Sequence, residues 1–207
     1  MTQEDRLTTL GLLWAAWARQ AGALSAAQWQ RPTRLGDWTV QMLYAHTSRW
    51  PLGFARMVGQ VRAAAPSHAT AAALLAEFNR PGGLATSQAD QVAAAARQGA
   101  AAATPEALAE PFAVTGPRAI ATARRLGPVV VDYFGRATLP LAEAAHIGIL
   151  EATVHLLDLQ RALGVPPDVP TGGLEHTVEL LAGMTPPVDF IELATGRSQA
   201  TPFPVLR

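Results

Sequence analysis

The chain has 207 residues, with 16 basic groups against 16 acidic ones, five histidines and no cysteine. At 49% apolar and 15% charged it reads as one globular domain with a modest appendage, not as disordered chain. The charge balance, with every basic residue an arginine and no basic run, argues against a nucleic-acid surface. The missing cysteine excludes disulfides, thiolate metal ligands and a cysteine nucleophile. The first six residues carry acidic charge where a signal peptide carries basic charge, and no apolar run of about 18 residues occurs. The expectation is a cytoplasmic protein that does not enter a membrane.

Leu7, Leu10, Trp14, Trp17 and Ala21 recur at spacings of three and four, so residues 4–23 are predicted to form an amphipathic helix. A short helical turn over 25–31 ends at Pro32. Asp37 offers an N-cap for a second helix over 38–62, with Val40, Leu43, Tyr44, Phe54, Met57 and Val58 facing inward and a kink at Pro51. Residues 71–78 and 88–98 read as helices around a loop at 80–83. Thr104 followed by Pro105 is an N-cap with proline at the first helical position, and it opens a third bundle helix over 105–126. The β-branched run at 129–134 is an extended connector or a buried edge. Thr138 is expected to cap a fourth helix running to Leu163 and stopping at Gly164. A short helix over 173–183 and Pro-rich irregular chain complete the sequence. Four helices with a long connection imply an all-α four-helix bundle over 1–165, followed by a short C-terminal extension over 166–207.

The chemistry concentrates on the fourth helix. Glu151 and His155 stand four apart, on one face and one turn apart, where a carboxylate oxygen and an imidazole nitrogen can converge on one ion. Asp158, seven residues after Glu151, lies on nearly the same side and can orient a ligand. His146 points away from His155. Taken alone, such a Glu–His pair is equally a surface contact worth a few tenths of a kcal/mol. His46, midway along an apolar helix, fits either a core histidine bonded to a carbonyl or a ligand. Together the three supply nitrogen and oxygen donors and leave coordination positions open, as in catalytic metal sites.

The segments Gln28-Trp29-x-x-Pro32-Thr33-x-Leu35-x-Asp37-Trp38-Thr39-Val40, then His46, and Glu151-Ala-Thr-Val-His155-Leu-Leu-Asp158-Leu159 with Ala162-Leu163-Gly164, resemble the two signatures of the mycothiol-dependent maleylpyruvate isomerase group. That group belongs to the DinB/YfiT-like superfamily of metal-binding four-helix bundles. The resemblance covers residues 1–165 and implies a DinB-like bundle holding a divalent metal, usually zinc, through His46, Glu151 and His155. It further implies that the open position receives water or the sulfur of a low-molecular-weight thiol such as mycothiol or bacillithiol. A thiol held as thiolate can add to a small electrophile, giving transfer or thiol-assisted cis–trans isomerisation. Arg80 and Arg197 are candidate anion clamps, each also readable as a solvated surface arginine.

Two function classes follow: a thiol-dependent transferase or isomerase, or a metal-binding, stress-associated bundle without turnover, with a homodimer open in either case. A bundle that keeps the fold and loses the metal is a third. The five tryptophans read as core and bundle-rim packing. Gly82-Gly83 and Gly172-Gly173 lack the strand–turn–helix setting of a phosphate loop. Neither a nucleophile elbow nor a His-Glu-x-x-His motif is present. His68 and His176 have no partners the sequence identifies.

Overall fold

A computed structural model describes residues 2–198 and 204–206. Helix α1 (Gln3–Ala23) starts in a capping box between Thr2 and Asp5, and every member of its predicted apolar stripe is buried. After the short α2 (Ala26–Trp29), the second bundle helix forms in two pieces, α3 (Val40–Thr47) and α4 (Arg49–Val58). The single helix expected over 38–62 is therefore corrected. The break falls at Ser48, so Pro51 sits in the first turn of α4, where its missing N–H would have had no helical partner. The predicted cap at Asp37 is also replaced: the Thr39 hydroxyl accepts from Met42 N–H, while Asp37 pairs on the surface with Arg97.

Helices α5 (Ala71–Asn79), α6 (Leu84–Ser87) and α7 (Ala89–Ala102) form the long connection, with α7 packed on α3. The third bundle helix is built from α8 (Pro105–Glu110), a π-helical turn (Pro111–Thr115) and α9 (Gly116–Leu126). Pro111 and Pro117 lie inside this span, and the widened turn accommodates a proline without ending the rod. The fourth, α10 (Leu141–Leu163), ends at Gly164 with φ 71°, the left-handed stop that glycine adopts without a Cβ penalty. Around the bundle α10 lies against α1, α3 and α4, and α9 lies against α1 and α4.

Aromatic side chains bind these rods to one another. Trp17 stacks on Phe112 at 5.3 Å and meets Tyr44 edge-on at 4.9 Å. Trp17 Nε1 donates to Ala152 O at 3.0 Å, and the Tyr44 hydroxyl donates to Trp17 O at 3.1 Å. Burial of Trp17 and Tyr44 is complete, so these bonds satisfy polar atoms that water cannot reach.

A small antiparallel sheet in the order β1-β2-β3 was not foreseen: β1 (Val61–Arg62), β2 (Val130–Tyr133) and β3 (Ala137–Pro140). Val61 pairs with Val131, Val131 with Leu139, and Tyr133 with Ala137. The extended run at 129–134 thus becomes the central strand. Thr138 does not cap α10. Its hydroxyl accepts from Ser67 N–H inside β3, and the helix begins three residues later. Between β2 and β3 the chain reverses through Phe134 and Gly135, both at positive φ, with Arg136 N–H bonded to Tyr133 O at 3.0 Å. Phe134, at φ 54°, occupies a conformation costing a residue with a Cβ roughly 1–2 kcal/mol.

Beyond α10, α11 (Thr171–Gly183) packs against α10, α1 and α5, and α12 (Pro187–Ala194) contacts α11. The expected irregular chain after residue 183 is thus partly helical, because Pro186 and Pro187 fix φ values compatible with a helix start. Among the described residues no helix is long and apolar enough to cross a membrane.

Candidate metal centre

His46 comes from the last turn of α3, and Glu151 and His155 come from successive turns of α10. Packing of α3 on α10 closes the 100-odd residues between them. His46 Nε2 lies 3.8 Å and His155 Nε2 3.6 Å from the same Glu151 oxygen, Oε2. The two imidazoles stand nearly perpendicular, 5.0 Å between centroids, and one donor atom from each of the three residues falls within 4.8 Å of the others. Donors around a tetrahedral ion with bonds of about 2.0–2.2 Å lie roughly 3.3–3.6 Å apart. The His155 separation of 3.6 Å falls at the upper end of that range and the His46 separation of 3.8 Å just beyond it. All three side chains are half-buried, with 17–28% of their surface open to solvent.

The surroundings hold each donor in place. Asp158 Oδ2 lies 2.9 Å from His155 Nδ1, which as donor leaves the Nε2 lone pair directed at Glu151. Arg34 Nε donates to the other Asp158 oxygen at 2.6 Å. Burial alone would raise the Asp158 carboxyl, but the bonds from His155 and Arg34 outweigh it and hold it below its ordinary value. Trp50 Nε1 donates to Glu151 Oε2 at 3.2 Å. Burial likewise raises Glu151, yet the His46 imidazole, the neighbouring histidine charges and the Trp50 N–H together lower it, so the group is an anion at neutral pH. A carboxylate between two imidazoles, one of them backed by a second carboxylate, is a donor set suited to zinc.

Trp38 packs edge-on against His46 at 5.2 Å. Trp38 and Trp50 therefore border the site, whereas the sequence placed them with the packing tryptophans. The signal for Trp50 was its position four residues after His46; Arg34 carried no signal, since only the fold brings it to Asp158. Arg80 caps the exposed end of α5 and Arg197 bonds the Thr195 carbonyl beyond α12; neither lines the cavity beside His46. His146 does face away from His155. It lies beside buried His176, with its Nε2 2.8 Å from the His176 carbonyl, and Glu179 completes a second His-His-Glu group there. His68, also unassigned by sequence, bonds Glu77 at 2.9 Å.

A cavity of about 530 Å³ opens next to His46 between α4, α5, the α6–α7 segment and the β2–β3 hairpin. Trp50, Phe78, Tyr133 and Phe134 supply aromatic walls, and Arg49, Arg56 and Arg136 also line it. The Tyr133 ring is buried, and that burial, reinforced by the charge of Glu151, pushes its phenol far above its ordinary value.

The sequence model of the mycothiol maleylpyruvate isomerase N-terminal domain matches residues 10–160. Two crystal structures of the mycothiol-dependent maleylpyruvate isomerase, one of a mutant, share the fold. Each superimposes with a TM-score of 0.59 over 88% of this chain and 68% of the other, at 18% and 19% identity. No curated protein matches the sequence.

Proposed function

The chain belongs to the mycothiol maleylpyruvate isomerase N-terminal domain family, and on that premise we propose that it is a metal-binding transferase or isomerase that uses a low-molecular-weight thiol. Its substrate would be a small electrophile, and the thiol one of the mycothiol or bacillithiol type. The observation that carries this reading is the meeting of His46, Glu151 and His155, with His46 itself lining an aromatic-walled cavity. A divalent ion bound there, zinc by the nature of the donors, would lower the pKa of a coordinated thiol and favour the thiolate at neutral pH. The chain's own part is orientation. Asp158 holds the His155 tautomer, Arg34 holds Asp158, and Trp50 fixes the Glu151 oxygen both histidines face. With no cysteine in the chain, no internal thiol competes for the site.

Purified protein reconstituted with zinc should retain about one equivalent after dialysis, read by atomic emission. It should also accelerate conjugation of mycothiol or bacillithiol to a chlorodinitrobenzene probe. Zinc retention without conjugation would support instead the non-catalytic metal-binding reading, and failure to retain any transition metal would end both.

A further inference from the structure

The cavity wall contributed by α4 has an order to it. Arg49, Gly53 and Arg56 fall at spacings of four and three, on one helical face that lines the cavity. The arginine Cα atoms are separated by seven residues, roughly 10 Å along the axis. Between them the Cε1–Cζ edge of the Phe134 ring abuts Gly53: a Cβ at that glycine would meet that edge at 2.5 Å. Trp50 and Tyr133 flank the same ring at 5.8 and 4.8 Å. Arg136, two residues beyond Phe134 in the hairpin, adds a third cation. Among the described residues none of these three arginines makes an ion pair or side-chain hydrogen bond, and no carboxylate lines the cavity. Elsewhere Arg6, Arg34, Arg62, Arg97 and Arg124 are paired with carboxylates.

Three guanidinium groups without carboxylate partners, exposed at the wall of one cavity, can receive an anion there, because the planar fork binds carboxylate through two parallel hydrogen bonds. The aromatic surface between the cations favours a flat, conjugated body. Phe134 holds its ring there from a left-handed backbone conformation, the kind of local strain that clusters at ligand sites.

We propose that this cavity binds an elongated, planar aromatic dianion: a conjugated ring in the middle, seated on Phe134, with carboxylates at both ends directed to Arg49 and Arg56.

The test is calorimetric titration of para-carboxycinnamate into metal-free and zinc-loaded protein, with no thiol present. Binding is expected in both forms. The corresponding diamide, which lacks the charges, and fumarate, which lacks the ring, should each bind at least tenfold more weakly. R49A, R56A and F134A should each weaken binding at least tenfold with the far-ultraviolet helical signal unchanged, while R19A, on an exposed arginine outside the cavity, should not change it. Equal binding of the diamide or of fumarate, or undiminished binding by all three cavity variants, would overturn the proposal. Because no thiol enters the titration, its failure leaves the thiol-dependent reading standing, and loss of thiol conjugation in turn leaves this binding result untouched.

Discussion

At the scale of single residues, the donor cluster separates side chains that would touch a metal from those that position them. His155→Ala removes a donor and should lower zinc affinity by about two orders of magnitude or more, while the helical signal persists because the bundle core lies elsewhere. His146→Ala removes an imidazole from the opposite face and should leave zinc affinity within about twofold in the same competition titration. Asp158→Asn keeps the shape and loses the charge behind His155, for which outer partners of this kind predict a loss of roughly 10–100-fold. The second histidine pair responds to acid. Burial, first of all, depresses both His146 and His176, and the nearby Arg6 adds to it; Glu143 and Glu179 oppose it without reversing it. A histidine whose folded value is lowered binds its proton more readily in the unfolded chain. Its stabilising effect is therefore complete above the ordinary value of 6.5 and is lost as pH falls below it. The urea midpoint should fall between pH 7.5 and about 5.5, and His146→Gln should flatten that slope.

Elements carry their own predictions. The α3 start rests on the Thr39 hydroxyl, not on the Asp37 carboxylate. Thr39→Ala should cost about 1 kcal/mol in urea unfolding, whereas Asp37→Ala, which loses only an exposed pair with Arg97, should stay within about 0.5 kcal/mol. The first two bundle helices were legible from stripes of apolar residues at spacings of three and four, the third from Thr104 followed by Pro105, and the fourth from its stop at Gly164, all purely local signals. Their ends were less legible. Thr138 has the chemistry of an N-cap, but its hydroxyl is engaged by Ser67, 71 residues away. The sheet escaped for the same reason: two-residue β1 has no periodicity of its own, and only its pairing with β2 makes it a strand. At Pro51 the local rule was right about a disturbance and misplaced it by one turn, since proline is accommodated in a first turn more readily than in a helix interior.

For the whole molecule, stability gathers where α1, α3, α10 and the π-helical turn meet. Trp17 contacts Tyr44 and Phe112 and reaches the Ala152 carbonyl, so it touches every one of these segments. Trp17→Ala should destabilise the chain by about 3–5 kcal/mol, seen as a lowered urea midpoint. It leaves a cavity and removes the Nε1 bond to the Ala152 carbonyl at once. The site is supported by this core without belonging to it: His46, Glu151 and His155 stand on the rim, half open, while the side chains beneath them are sealed.

The amino-acid order by itself determined the helical class, the inward stripes and the Glu151–His155 pair, because helical geometry converts a spacing of four into adjacency. It also determined the absence of any internal thiol. The resemblance of two segments to known signatures already grouped His46 with that pair; tertiary structure alone decided that Arg34 and Trp50 would steady it, and that Arg49, Arg56 and Arg136 would share a cavity with Phe134. These groups lie on separate elements, and nothing in their local sequence encodes the distance between them. That distance is set by which apolar faces exclude water together, a property of the assembled bundle.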